Sequence, residues 1–368
     1  MFEVKGRVPS SVDAAAQLAE RNARRASAAE LKAARRGRRI QVRRFAGPEA
    51  YVDSLEHVRI AHLTDLHVGR VTPMKVQYEA VTLTNAEEPD LVVLTGDFVC
   101  HSQVYLDELT DVVRRFEAPV ICVLGNHDYW SGAEEVRRAL RRAGAEILDN
   151  RNTTVTLRHQ RLQILGLDDA YTGHAHRDEA LKGLRPDLPV LALSHIAEEA
   201  DALWAHGVPL VLSGHTHGGQ VTLARLHELA VGKLAGHRYI HGLYGSRRTN
   251  GNGEADDETA VDLYVPPSPF LSIPPPPGKG AGAGAVYVGA GIGAAILPFR
   301  LGERGQREVT IFELGHELGA FDEHHGEQRP LKGRRPSEKT KYKRHVAVVA
   351  KQQKRLRKKA RGRRAGAS

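Results

Sequence analysis

Short apolar runs recur through the middle of the chain: "RIAHLT" at 59–64, "LVVLT" at 91–95, "VICVLG" at 120–125, "LQILGL" at 162–167, "PVLALS" at 189–194 and "PLVLS" at 209–213. Between most of them lie polar, helix-prone stretches, at 74–88, 103–116 and 133–143. Strand and helix alternating in this way predict βαβ units whose strands are buried on both faces. Crossovers of that kind put the strand C-termini on one edge, and in open α/β sheets that edge holds the site. From about 245 to 285 the pattern breaks. There "RRTNGNGEADDE" reads as a polar loop, and "VPPSPFLSIPPPPGKGAGAGA" as a Pro- and Gly-rich linker without regular structure. This stretch is read as an insertion, after which "AVYVGAGIG" and "REVTIFELG" predict two late strands.

The expected organisation is a basic N-terminal arm over 1–55, one domain over 56–316 carrying that insertion, and a basic, disordered tail over 317–368. The arm is rich in Ala, Arg and Glu and has few large apolar residues with which to dock. In the tail, Val346, Val349 and Leu356 offer only a narrow helical stripe. Charge sharpens the division. Residues 329–368 hold 17 Lys and Arg against Glu338 alone, and residues 1–46 hold 12 basic against 4 acidic side chains. With +9 overall, the body from 47 to 328 is left at −15. An acidic body argues against a central domain that itself grips a nucleic-acid backbone, so anionic membrane or nucleic acid is expected to engage the basic ends.

In 368 residues, 41% of them hydrophobic, there is ample material for a core. No apolar run is long enough to cross a bilayer, and no charged start precedes an apolar block. The two cysteines, Cys100 and Cys122, are read as free and reduced, which makes the cytoplasm, including the inner membrane surface, the expected location.

The chemistry gathers where the strands end. "LTDLHVG" ends one with Asp65 and His67, "LTGDF" another with Asp97, and "LGNHDYW" a third with Asn126, His127 and Asp128. Further on, "LSHI" supplies His195, and "LSGHTHGGQ" supplies His215 and His217. Parallel packing would collect all of them on one edge. Oxygen and imidazole donors in this mixture suit divalent transition metals. Asp-x-His and His-x-His, if extended, place alternate side chains on one side, within reach of one ion. Seven such ligands suffice for two ions when one carboxylate bridges, and Asp97, alone and central in order, is the natural bridge.

"DLH", "GDF", "GNHD", "SH" and "GHTHGGQ", in this order, resemble the calcineurin-like metallophosphoesterases. The bacterial branch with UDP-2,3-diacylglucosamine pyrophosphatase-like enzymes and related phosphodiesterases is the one it looks most like, through "GNHDYW", "SGHTHGGQ" and the late "YVGAGIGAAILPFRLG". The likeness covers about 58–244 and 286–314. It implies a four-layer αββα sandwich with a dinuclear metal site at the C-terminal ends of the strands. Asp65, His67, Asp97 and His217 would hold one ion, and Asp97, Asn126, His195 and His215 the other. His127 would face the phosphate, and Asp128 would orient His127 or merely cap the turn. The chain departs from the pattern after His195, where "SHIAEEAD" replaces a Pro-containing turn, and in its insertion and basic ends.

Together these readings predict a phosphoesterase that cleaves a phosphodiester or pyrophosphate of a small or lipid-linked molecule, through attack by a metal-bridging hydroxide with His127 as general acid. Two manganese ions are the first expectation, with iron, zinc or magnesium as alternatives. The competing readings are a nucleic-acid- or membrane-binding protein with accessory phosphoesterase activity, and a phosphomonoesterase or protein phosphatase. Asp168, Asp169, His174 and His176, in "GLDDAYTGHAH", are read as a turn at the rim.

Overall fold

Strands form at each of the predicted apolar runs, and their pairing explains why so many polar tips meet. The computed structural model describes residues 40–100, 102–219, 237–245, 284–294 and 306–316, and those from 42 on belong to one compact unit. In the first sheet the spatial order is β1 (Ile40–Phe45), β12 (Arg307–Leu314), β2 (Val58–Leu63), β3 (Leu91–Thr95), β4 (Val120–Val123) and β5 (Glu146–Ile147). In the second it is β10 (Gly242–Gly245), β11 (Ala285–Val288), β9 (Leu210–Ser213), β8 (Val190–Leu193), β7 (Gln160–Gly166) and β6 (Arg151–Leu157). β2 to β5 run parallel, and so do β7, β8, β9 and β11. Antiparallel partners flank both sets: β12 beside β2, β10 beside β11 and β6 beside β7.

The period of two along each strand decides which face fills which layer. Leu91 and Val93 of β3, Leu191 and Leu193 of β8, Leu210 and Leu212 of β9, and Phe312 of β12 point between the sheets into one apolar cluster. Ala192, Val211, Val286 and Val288, one residue out of phase, pack outward against Ala180, Ala200, Leu203 and Trp204. Those four belong to two short helices, Arg177–Leu181 and Ala200–Trp204. Over the first sheet lie α1 (Met74–Asn85), α2 (Leu106–Arg114), α3 (Asn126–Ser131) and α4 (Ala133–Arg142). α1, α2 and α4 bury Val76 and Ala80, Leu109 and Val112, and Val136 and Leu140, at helical spacing. The result is the αββα sandwich expected from the resemblance.

A boundary at 55 between arm and domain is not what the fold has. Residues 42–55 belong to the folded unit, and Phe45, Tyr51 and Leu55 fill the inter-sheet core. The strand "IQVRRF" is hidden in the sequence by its two arginines, and Arg43 is buried because its charge is answered. Residues 1–39, 246–283 and 317–368, which include most of the expected arm, insertion and tail, lie outside the described residues. No helix among the described residues is long and apolar enough to cross a membrane. Cys100 and Cys122 form no disulfide.

The partner of Arg43 is Glu308, a buried carboxylate 2.8 Å from its guanidinium Nε. Glu308 also accepts hydrogen bonds from the Tyr287 hydroxyl (2.9 Å) and the Ala290 N–H (2.8 Å), and pairs with His241 Nε2 (3.0 Å). It therefore ties the strands of one sheet to β11 and the approach to β10 in the other. Burial alone would raise its pKa, but Arg43 and His241 override that and hold it well below the usual carboxylate range. A depressed pKa contributes stability above the unfolded value, about 4.3, that is lost as pH falls below it. Removing one partner of such a pair leaves uncompensated buried charge, so Glu308→Ala should cost about 3–5 kcal/mol in urea denaturation at neutral pH. The gap between wild type and variant should narrow below about pH 4. A loss within about 0.5 kcal/mol, typical of a surface change, contradicts this role.

Candidate metal centre

At the shared edge the tips of β2, β3 and β9 bend through left-handed backbone. Asp65, His67, Asp97, His215 and His217 all have positive φ, between 42° and 75°. Such conformations are uncommon for non-glycine residues and gather at functional sites, where the surroundings hold them. An extended Asp-x-His or His-x-His segment is therefore not what aims these side chains. The turns do, and they send His215 and His217 into different groups rather than to one point. Two glycines allow the tips to meet: a side chain at Gly125 would strike the Asp97 carboxylate, and one at Gly214 would strike Thr64 and Asp65. Cross-links fix the arrangement. The Asp65 N–H donates to Gly96 O (3.0 Å), the His67 N–H to Asp97 O (2.9 Å) and the Gly293 N–H to Asp65 O (2.7 Å).

The first group is Asp65, His67, Asp97 and His217, all buried, with ligand atoms within 4.8 Å of one another. His67 Nε2 lies 3.0 Å from His217 Nε2, which is 3.3 Å from Asp65 Oδ1. Asp97 Oδ2 is 3.5 Å from His67 Nε2. The second group is Asp97, His195 and His215. Around His195 Nε2 stand Asn126 Oδ1 and His215 Nδ1, each at 3.2 Å, and Asp97 Oδ1 at 3.4 Å. Asp97 thus gives one oxygen to each group.

The donor chemistry fits a cation in each. His195 Nδ1 is 2.7 Å from the Thr95 carbonyl and donates to it, so in the neutral ring the lone pair is on Nε2. Opposite that lone pair are an amide oxygen, a carboxylate oxygen and an imidazole nitrogen, so four electron-rich atoms face one another. In the first group Asp65 Oδ1 is buried without a hydrogen-bond partner among the described residues, and it faces two imidazole nitrogens. Mixed nitrogen and oxygen donors suit divalent transition metals.

The electrostatics ask for the same positive charge. Burial pushes Asp65 up to about 6, against the pull of His195. For Asp97 burial is overridden by His195 and then His127, and its pKa is held well below the usual range. Burial would lower His195, but the Asp97 carboxylate overrides it and raises it to about 10. His215 is pushed well down by burial and by neighbouring His237 and His195. A proton on His195 supplies charge that a cation at the same point can supply instead.

His127 stands beside the two groups, partly exposed. Its ring meets that of His67 edge-on at 4.7 Å, and its Nε2 is 3.9 Å from Asp97 Oδ2. Asp128 is placed differently from the orienting role. Its carboxylate accepts from the N–H groups of Phe98 (2.8 Å), Val99 (3.3 Å) and Gly125 (2.9 Å), so it caps the turn and clamps two loops together. Burial raises its pKa to about 8. The carboxylate of Asp169 caps its own turn through the Tyr171 and Thr172 N–H groups, and Asp168 accepts from Tyr129 and Arg137. His174 stacks on Tyr129, and the His176 N–H donates to Asn150. After His195 a 3-10 turn, Ala197–Glu199, runs directly into the helix Ala200–Trp204, which is where "SHIAEEAD" departs from a Pro-containing turn. Trp130, Tyr171 and His237 also stand at the site and were not legible as site residues. Trp130 and Tyr171 follow strand-end motifs closely, but His237 carries no sequence signal. A separate grouping, His57, Glu313 and His316, lies at the opposite end of β2, and Glu313 pairs there with Arg59.

Residues 58–219 match the family model described as calcineurin-like phosphoesterase. Among curated proteins, phosphodiesterase YaeI of Escherichia coli is 28% identical over 52% of this chain and 72% of its own length. An uncharacterized metallophosphoesterase of Aquifex aeolicus is 34% identical over 44% of this chain and 64% of its own. The UDP-2,3-diacylglucosamine pyrophosphatase LpxG of Chlamydia trachomatis is 27% identical over 46% of this chain and 66% of its own. The chain spans about two thirds of the length of these relatives.

Because Asp97 faces both groups, Asp97→Asn should lose more bound metal than His67→Ala after loading with manganese and dialysis. Elemental analysis of the purified variants measures it. Two ions per chain retained in Asp97→Asn would contradict a shared carboxylate.

Proposed function

Because residues 58–219 match the calcineurin-like phosphoesterase model, we propose that the chain hydrolyses a phosphodiester or pyrophosphate bond with two divalent metal ions, manganese first among them. The observation that carries this reading is the Asp97 carboxylate set between two groups of nitrogen and oxygen donors, with the partly exposed His127 ring beside it. Asp65, His67, Asp97 and His217 would hold one ion, and Asp97, Asn126, His195 and His215 the other. Divalent cations bound there supply Lewis-acid neutralisation of phosphoryl oxygens and acidify water at neutral pH.

The chain's own residues do the rest. Thr95 accepts from His195 Nδ1 and so fixes that ring and its tautomer. Asn126 is neutral, which limits the negative charge gathered in its group. His127 is outside both sets of donors and is aimed by the backbone: its own N–H donates to Asp97 Oδ1 at 2.8 Å, and its ring is held against His67. From there the imidazole can donate a proton to the leaving oxygen or stabilise its developing charge. The names of two relatives, a phosphodiesterase and a pyrophosphatase, support an ester with a substituent on both sides of the bond over a phosphomonoester.

His127→Ala should keep its metal and lose roughly two to four orders of magnitude in turnover, the range for a proton-transfer residue. A variant stripped of metal would move His127 into the ligand set. The bond is tested with a manganese-supplemented panel of phosphomonoesters, phosphodiesters, cyclic nucleotides, nucleotide-sugar pyrophosphates and oligonucleotides. The expected result is turnover of diesters or pyrophosphates well ahead of monoesters. A clear preference for monoesters or phosphoproteins would overturn the proposed bond.

A further inference from the structure

An arc of aromatic rings borders the metal centre. The His127 ring lies 4.8 Å from that of Trp130, Trp130 lies 6.1 Å from Tyr171, Tyr171 lies 5.2 Å from His215, and His215 lies 4.9 Å from His237. All five are partly exposed. They reach this place from separate segments: Trp130 from α3 after β4, Tyr171 from the loop after β7, His215 from the tip of β9, and His237 from the approach to β10. The ordinary explanation of aromatic rings is core packing, yet among the described residues neither Trp130 nor Tyr171 belongs to the inter-sheet cluster or to the cluster outside the second sheet.

We propose that these rings form a subsite for the base of a nucleoside carried on the scissile phosphate. The proposal rests on the phosphoesterase reading above and names the substrate class for it. The rings begin at His127 and return to His215, both beside the metal centre, so the group they hold belongs to the molecule whose phosphate lies there. Trp130 and Tyr171 stand nearly perpendicular, at 78°, and make a corner in which a flat group stacks on one ring and meets the edge of the other. Indole, phenol and imidazoles carry polar edges beside their apolar faces, which suits a heterocyclic base better than an acyl chain. Stacking of one base on one aromatic ring contributes roughly tenfold to a hundredfold in binding and tolerates different bases. The expected substrates are nucleotide diesters or nucleoside diphosphate esters, with little choice among bases.

The test compares kcat/KM for a nucleoside ester and a dialkyl ester with the same scissile bond. Aryl chromogenic esters are unsuitable comparators, because their own rings would enter the same corner. Wild type should favour the nucleoside ester at least tenfold. Trp130→Leu and Tyr171→Leu should each lower that ratio about tenfold, mainly through KM, while Trp130→Phe keeps most of it. An unchanged ratio, or equal losses on both esters, overturns the subsite. Isothermal titration of manganese-loaded wild type with a nucleoside 5′-monophosphate and with methyl phosphate decides the matter independently of turnover. Tighter binding of the nucleotide by tenfold or more supports the subsite even where neither ester is cleaved and the proposed reaction fails. Equal binding of the two overturns it.

Discussion

A carboxylate only 1% exposed at the tip of a buried strand has to be answered by positive charge or hydrogen bonds, and Asp97 is such a group. The surrounding geometry serves that need. The His127 N–H donates to one of its oxygens, His195 and His67 approach from opposite sides, and Gly125 keeps the neighbouring tip clear. These partners reach Asp97 only because β2, β3 and β4 run parallel in one sheet and β8 and β9 run parallel in the other. Reversing any of these strands would carry its polar tip to the far edge.

The late part of the chain completes this centre. Residues 284–316 lie beyond the segment that matches the family model, yet β11 pairs with β9 and β12 pairs with β2. The turn after β11 gives the Ile292 N–H to Thr64 O and the Gly293 N–H to Asp65 O, which fixes the first tip. Glu308 then holds the base of that turn through the Ala290 N–H while paired with Arg43. A buried ion network between sheets thus supports the backbone that aims the Asp65 carboxylate.

Much of this was legible in the sequence, for a physical reason. Each polar tip follows an apolar run, so the strand and its functional end announce each other, as in "LVVLTGD". The four layers came from the family resemblance, since the runs themselves show only strand and helix alternating. What stayed hidden depends on partners distant along the chain. β1 falls within the expected arm because its arginines continue a stretch rich in Ala, Arg and Glu, and only the fold sets Glu308 beside Arg43. For Asp128 the sequence leaves orienting His127 and capping the turn both open, and only the fold decides, turning its carboxylate to three backbone N–H groups across two loops. The aromatic corner was invisible because Trp130 and Tyr171 meet only through the fold. The polar edge strand β6, "RNTTVTL", lacks the apolar run that marks its neighbours.

The central claim is that one carboxylate, Asp97, is shared by two cations. Anomalous X-ray scattering from crystals of the manganese-loaded protein tests it most directly. The account predicts two peaks roughly 3.5–4 Å apart, one on each side of the Asp97 carboxylate. A single peak, or two peaks of which only one contacts Asp97, would contradict it.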